Sequence, residues 1–280
     1  MKKRILEIKR MKAFELYLKD EERSTATIEK YMHDIRCFAE FAGSFEISKQ
    51  TVLEYKNKLG ASYAVSSANS MIAALNSFLR FCGWYDLCVK QFRVQRQAYC
   101  SEEKELTRAE YIRLLEAANK KHNERLNLII QTICGTGIRV SELQYITVEA
   151  LGKGEAVVNC KGKNRRIFIV PELKKKLLRY VKEQKISSGA VFITRNGKPV
   201  SRNNIWKEMK ALCEQANVPP SKVFPHNLRH LFARTFYGIE KDIAKLADIL
   251  GHASINTTRI YIVTTGAEHK RKMEHMRLII

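Results

Sequence analysis

The 280-residue sequence has no run of apolar residues long enough to span a membrane, and its first residues include acidic side chains where a signal peptide is continuously apolar. Its seven cysteines are scattered and never form a C-x-x-C pair, which argues against a disulfide framework and a cysteine-type zinc site. It has no internal repeat or low-complexity tract. These absences predict a cytoplasmic protein with free thiols and no membrane association.

Acidic residues are also scarce. The sequence has 29 Asp and Glu against 50 Lys and Arg, which gives a formal net charge of +21. The surplus is spread over the chain: residues 1–100 hold 17 basic and 11 acidic side chains, and residues 101–280 hold 33 and 18. Such a field attracts polyanions, most often nucleic acid. The hydrophobic content of 45% suffices for one or two folded domains and excludes a disordered basic tail.

The first part of the chain is rich in helical periodicity and has no alternating strand pattern. Apolar residues at spacings of three and four predict long amphipathic helices over 24–42 and 63–82, each followed by a glycine. Weaker patterns predict helices over 8–18 and 52–59. Four helices joined by short links predict a small bundle, whose two long helices are the candidates to face DNA.

The helical period is lost over 86–104, where we place the domain boundary. We predict a helical domain over 1–88, a linker over 89–104 and a second domain over 105–280. The basic residues of the linker would supply salt-dependent affinity for the DNA backbone rather than sequence choice. These residues are Lys90, Arg93 and Arg96.

The second part predicts an α+β domain with a small antiparallel sheet, so that the fold class of the whole chain is mainly α. Thr107 and Glu110 have the spacing of a helix-capping box. Two β-like runs, 156–160 and 166–170, flank a basic, glycine-containing hairpin tip over 161–164. Helical patterns occupy the segments 107–120, 124–134, 205–216, 228–239 and 243–250.

Separate clusters in the second part suit attack on a phosphodiester. Arg139 follows a glycine turn at the start of a short helix, where backbone N–H groups favour phosphate. Lys161 lies at the hairpin tip, and Lys163 competes for the same role. His226 and Arg229 share a face at the positive end of a helix and could clamp an anion together.

A histidine pair and a tyrosine can be interpreted only together with the residues around them. His226 and His230 have the spacing of a metal pair, but Asn227 replaces the glutamate of H-E-x-x-H and no third ligand is evident, so we predict no metal site. Tyr261 lies nine residues after His252. A phenol has an ordinary pKa of about 10, so a tyrosine nucleophile needs neighbours that remove its proton.

Taken alone, each cluster has a plain structural explanation, but their order along the chain resembles the tyrosine recombinase or phage integrase family in its two-domain, Xer-like form. The motifs are TGIRVSEL, KGKNRR, HNLRH and LGHASINTTRIY. The resemblance covers 105–265, and the bundle resembles the SAM-like core-binding domain by organisation only. The residues that carry it are Arg139, Lys161, His226, Arg229, His252 and Tyr261.

The resemblance implies that Tyr261 attacks the scissile phosphate of duplex DNA, forming a 3′-phosphotyrosyl link and releasing a 5′-hydroxyl, with no metal or other cofactor. Lys161 would protonate the leaving 5′-oxygen. The strand before Pro171 is longer than in the shortest members, which keeps Lys163 open as the alternative acid and as a DNA contact.

In the same family, two arginines hold the nonbridging oxygens and two histidines assist by proton transfer and hydrogen bonding. These roles would fall to Arg139 and Arg229, and to His226 and His252. The sequence departs from the family where Arg234 interrupts a common Ala-Thr pair, and we expect its side chain to face outward.

The resemblance also implies a homotetramer on DNA, joined through the C-terminal helix. The apolar stripe Met273, Met276 and Ile280 suits docking on a neighbouring protomer, although packing on its own domain is an equal alternative. The biological role could be integration and excision, inversion or dimer resolution, with or without accessory proteins. Two other functions stay open at this point: a type IB topoisomerase that relaxes DNA, and a DNA-binding protein without catalysis.

Overall fold

The computed structural model describes residues 4–43, 46–93, 104–160, 163–262, 270 and 273–276. The chain divides into two compact units, Met1–Arg96 and Gln97–Ile280, and the division falls inside the predicted linker. Arg96, Lys161 and Ile280 lie outside the described residues.

The first unit contains the four predicted helices. They are α1 (Ile8–Asp20), α2 (Thr25–Ala42), α3 (Lys49–Ser62) and α4 (Val65–Phe81). Ser24 caps α2 by accepting a hydrogen bond from the Thr27 N–H, and Ser48 forms a capping box at the start of α3. None of the described helices is both long and apolar enough to cross a membrane.

The core of this bundle is built from aromatic and aliphatic side chains. Phe14, Phe38 and Phe78 are completely buried, and the rings of Phe14 and Phe78 meet edge to face with centroids 5.2 Å apart. Asn76 is a polar exception, since its side chain both donates to and accepts from the backbone of Val89. Burial of apolar surface is therefore the main stabilising contribution in this unit.

In its described residues, the second unit is mainly helical with one two-stranded sheet. The elements are α5 (Arg108–Lys120), α6 (Glu124–Thr136), a 3₁₀ helix (Val140–Tyr145), α7 (Val148–Lys153), β1 (Glu155–Cys160), β2 (Lys163–Phe168), α8 (Pro171–Glu183), α9 (Arg202–Lys210), α10 (Cys213–Ala216), a short 3₁₀ turn (Pro220–Lys222), α11 (Pro225–Glu240), α12 (Ile243–Leu250) and α13 (Ile255–Ile262). The predicted capping box of Thr107 and Glu110 is present.

The hairpin differs from the prediction in its second strand. The strands pair in antiparallel fashion from Glu155 with Phe168 to Cys160 with Lys163, so β2 begins three residues earlier and ends two residues earlier than the predicted 166–170. Polar residues can occupy these ladder positions because one face of the hairpin is exposed to solvent. This register places Arg165 opposite Val158, within the paired part of the sheet.

Candidate active site

Two glycine-terminated helices of the second unit end close to each other, since a Cβ atom on Gly137 would lie 3.1 Å from Cδ2 of Leu250. The helices α6 and α12 end at Gly137 and Gly251, which adopt left-handed φ values of +66° and +65°. A Cβ atom on Gly137 would lie 2.4 Å from the Phe232 ring, and one on Gly251 would lie 2.7 Å from Cδ of Arg165. Both positions therefore require glycine for close approach as well as for backbone conformation.

Arg229 projects from α11 between these helix ends and is only 1% exposed. Its Nη1 donates to the Gly137 carbonyl at 2.5 Å, and its Nη2 donates to the Leu250 carbonyl at 2.7 Å. Its Nε has no hydrogen-bond partner of normal geometry among the described residues. Burial and the nearby charge of Arg139 lower the pKa of Arg229 to about 10, although the Tyr261 side chain opposes this shift. The site thus holds a buried cation with a spare donor.

His252 follows Gly251 and is held in one tautomer by its neighbours. A guanidinium can only donate, so the histidine Nε2 accepts from Nη2 of Arg229 at 2.9 Å. Nδ1 then carries the ring hydrogen and donates it to Oγ1 of Thr258, 2.8 Å away. Burial and the charges of Arg229 and Arg139 lower the pKa of His252 to about 4. The imidazole is therefore neutral at pH 7.

Arg139 stands at the start of the 3₁₀ helix, as predicted, with a side chain that is 40% exposed. Its Nη1 donates to Oε1 of Glu142 at 2.7 Å, and its backbone N–H donates to the other carboxylate oxygen at 2.8 Å. Nη2 also donates to the Gly251 carbonyl at 3.4 Å. Glu142 is buried and forms a second ion pair with Arg165. The carboxylate therefore orients one guanidinium and is fixed by another.

Tyr261 is on α13 and is only 3% exposed. Its ring lies among three histidine rings, with centroid distances of 4.3 Å to His230, 5.4 Å to His252 and 5.7 Å to His226. The Tyr261 ring thus lies beside the arginine and the histidines of the candidate site.

The two histidines of α11 differ in their surroundings. Burial and the Arg229 charge lower the pKa of His226, although part of its ring is open to solvent. Burial and the neighbouring His226 lower the pKa of His230 to about 4. Among the described residues, no group of three or more His, Cys, Asp or Glu side chains is placed to hold a metal ion.

Comparison with known proteins agrees with this arrangement. A model of the phage integrase family matches residues 104–267, and a model of the phage integrase N-terminal SAM-like domain matches residues 11–84. The chain belongs to the phage integrase family. Its activity is that of a tyrosine-type site-specific recombinase.

Relatives of this integrase-family chain match along nearly its whole length. Tyrosine recombinase XerA of Thermococcus kodakarensis is 32% identical over 95% of this chain and 94% of its own. XerA of Pyrococcus furiosus is 28% identical over 100% and 98%. A crystal structure of XerA recombinase is 25% identical with a TM-score of 0.55, covering 97% and 99%. The fold is shared with a lambda integrase dimer bound to a core site, at 16% identity and a TM-score of 0.74, covering 91% and 94%.

The structure of this integrase-family chain brings together five of the six residues predicted for catalysis. They are Arg139, His226, Arg229, His252 and Tyr261. Lys161 lies outside the described residues, and only the backbone of Lys163 is described, at the start of β2. Lys90 and Arg93 are exposed in the first unit.

The side chain of Arg234 is less exposed than predicted in this integrase-family chain, and three neighbours of the site were not predicted. Arg234 does not simply face outward, because its side chain forms an ion pair with Glu105 and is about one-third exposed. The unpredicted residues are Glu142, Arg165 and Thr258. Only Glu142 carried a local signal, since it lies at capping-box spacing after Arg139.

Proposed function

We propose that Tyr261 is the nucleophile of this recombinase and that it acts in the protomer to which it belongs. Its phenolic oxygen attacks the scissile phosphate of duplex DNA, forms a 3′-phosphotyrosyl bond and displaces the 5′-oxygen. The 5′-hydroxyl of a partner strand later attacks this bond and restores the tyrosine. The observation that carries the proposal is the position of Tyr261 beside Arg229 and between His226 and His252.

Arg229 and Arg139 are proposed to hold the nonbridging oxygens of the phosphate. Nε of Arg229, which has no hydrogen-bond partner of normal geometry among the described residues, supplies a donor that is already out of water. The guanidinium of Arg139 is 40% exposed and would exchange water for the phosphate when the substrate arrives. Negative charge develops on these oxygens in the pentavalent transition state. Fixed donors stabilise that state more than the ground state, which is the condition for a faster reaction.

The lowered pKa values of His226 and His252 favour the unprotonated imidazole, which is the form that can accept a proton, although a lower pKa also makes each ring a weaker base. His226 has a lowered pKa and lies next to the Tyr261 ring, so we assign it the removal of the phenolic proton. His252 would donate a hydrogen bond to a phosphate oxygen from Nε2 in its other neutral tautomer, in which Nδ1 accepts from the Thr258 hydroxyl. Protonation of the leaving 5′-oxygen is assigned to Lys161, with Lys163 as the alternative.

We propose double-stranded DNA as the substrate and a homotetramer as the working assembly. The net charge of +21 and the exposed Lys90 and Arg93 support backbone contacts, to which Arg96 and Lys163 would add. Relatives of the same fold include a lambda integrase tetramer bound to a Holliday junction. Met273 and Met276 are each 59% exposed, which suits docking of the C-terminal helix on a neighbouring protomer.

The domain assignment and the biological role complete the proposal. The DNA-binding domain would comprise 1–88, the linker 89–104 and the catalytic domain 105–280. The reaction would serve integration and excision of an element, inversion or resolution of joined DNA, with or without accessory proteins.

Covalent trapping of DNA tests the assignment of the nucleophile. Wild-type protein, Tyr261→Phe and the matched control Tyr237→Phe are incubated with sheared DNA from the source organism, denatured with detergent and separated on a gel. Tyr237 lies on α11 and packs beside the same small apolar cluster. We expect Tyr261→Phe to form no covalent complex but to keep its DNA affinity, and the control to behave like wild type. A covalent complex formed by Tyr261→Phe would refute the assignment.

A further inference from the structure

Arg165 lies in β2, outside the set of residues to which a role has been assigned above. Its side chain is only 11% exposed. Nη1 donates to the Ile249 carbonyl at 2.7 Å, and Nη2 pairs with the Glu142 carboxylate. Its aliphatic part lies against Gly251, where any Cβ would collide with it. One guanidinium therefore joins the hairpin to two segments that are distant in sequence.

Both of those segments carry residues of the proposed site. Glu142 is the carboxylate that orients the Arg139 side chain. The turn that ends at Gly251 leads directly into His252, and its carbonyl also accepts a hydrogen bond from Arg139. Displacement of Arg165 would therefore release the carboxylate behind Arg139 and the turn before His252 at once.

We propose that Arg165 is a positioning residue that holds Arg139 and His252 in the geometry needed for phosphate attack, an inference that rests on the roles proposed for those two residues. The planar guanidinium suits this task because it reaches a carboxylate and a carbonyl in fixed directions, whereas a lysine ammonium is a single point charge. The neighbouring Arg166 lacks such contacts. Its side chain is 72% exposed and comes no closer than 3.9 Å to the carboxylate of Glu155.

Single-turnover cleavage separates this role from general stability. The substrate is a nicked duplex that carries the site recovered by covalent trapping with wild-type protein, at saturating protein concentration. We expect Arg165→Met to cleave about 10²-fold more slowly, because small misplacements of reacting groups have effects of this size. DNA affinity should stay within about twofold. Arg165→Lys should fall between Arg165→Met and wild type, and the matched control Arg166→Met should cleave at nearly the wild-type rate.

A neutral substrate supplies the decisive comparison. In a methylphosphonate, one nonbridging oxygen of the scissile phosphate is replaced by methyl, so the reaction depends less on a well-placed guanidinium. If Arg165 acts through Arg139, the rate ratio of wild type to Arg165→Met should shrink at least about tenfold on this substrate. A defect of equal size on both substrates, or no defect on either, would overturn the inference.

Coupling between Arg165 and Glu142 provides a second measurement that does not depend on one variant alone. Glu142→Gln should slow cleavage, and the double variant with Arg165→Met should be no slower than the slower single variant, because Arg165 supports Arg139 through the Glu142 carboxylate. Independent, multiplying defects would contradict the inference. If wild-type protein forms no adduct on Tyr261, the proposed function fails instead, so the two failures can be told apart.

Discussion

The two units of the molecule differ in what they bury. In the described part of the chain, the bundle buries two polar or charged residues, Asp34 and Asn76, whereas the second unit buries eight. These eight are Glu110, Asn127, Thr132, Thr136, Glu142, Asn227, Arg229 and Thr258. The bundle is stabilised mainly by apolar packing. In the second unit, Glu110 and Asn227 serve local structure, whereas Glu142, Arg229 and Thr258 surround the proposed site.

Arg229 shows the energetic consequence most clearly. A decrease of its pKa from 12.5 to about 10 corresponds to a cost of about 3 kcal/mol for keeping the charge buried. Its hydrogen bonds to Gly137 and Leu250 offset part of this cost. The site thus keeps a cation where the phosphate is proposed to bind, at the expense of folding stability.

The largest contrast between the units is expected from paired substitutions. Arg229→Met should abolish cleavage, yet change the free energy of unfolding by less than about 2 kcal/mol, because the lost hydrogen bonds and the relieved burial of charge oppose each other. Phe78→Ala in the bundle should lower that free energy by about 3–5 kcal/mol through a cavity. Urea denaturation and single-turnover cleavage measure both quantities.

The comparison would break down if the two variants behaved alike. A loss of stability in Arg229→Met as large as that in Phe78→Ala would show that the buried arginine mainly stabilises the fold. Cleavage by the DNA-bound Phe78→Ala protein should match wild type at a temperature where the variant is folded.

The pH dependence of stability provides the next contrast. His230 and His252 have folded pKa values of about 4, below the ordinary 6.5, so the unfolded chain binds protons first as the pH falls. Burial of these two neutral histidines therefore leaves the free energy of unfolding independent of pH above 6.5. That free energy decreases as the pH falls from 6.5 to 4. Each histidine should contribute a slope of up to about 1.4 kcal/mol per pH unit.

Urea denaturation at a series of pH values isolates one of these histidines. His230→Phe keeps a planar ring but cannot be protonated, so its unfolding free energy should fall less steeply than that of wild type between pH 6.5 and 4. Parallel curves for the two proteins would contradict the role of burial in the pKa of His230.

The smallest expected effect comes from the bundle. The Tyr55 hydroxyl is buried and has no hydrogen-bond partner among the described residues, and its burial raises its pKa. Tyr55→Phe removes this group and should leave stability unchanged or raise it by up to about 1 kcal/mol. Cleavage should be unaffected. A clear loss of stability on urea denaturation would mean that the hydroxyl is hydrogen-bonded in solution.

Sequence patterns predicted the elements better than their connections. The bundle helices and the helix start at Pro225 follow from periodicity and capping, which are local properties. The prediction omitted α8, where a lysine-rich stretch masks the buried Leu173, Leu177 and Tyr180 on one face. The composition of this stretch suggests a solvent-exposed segment, but the spacing of these three residues indicates a helix with one buried face.

The site residues also divide into those that local sequence patterns identify and those that depend on distant parts of the chain. Arg139, Arg229 and Tyr261 belong to motifs whose order is specific, so they could be chosen before the fold was known. Arg165 could not, because its importance comes from Ile249, 84 positions later in the chain, and from a strand register that the alternation pattern places incorrectly. Thr258 is likewise ordinary until His252 contacts it.

The central claim is that Tyr261 forms the covalent bond with DNA, and mapping of the modified peptide tests it most directly. Wild-type protein is trapped on DNA with detergent, digested with nuclease and protease, and analysed by mass spectrometry. We expect a nucleotide attached to Tyr261 through its 3′-phosphate. A nucleotide on any other residue, or attachment through a 5′-phosphate, would contradict it.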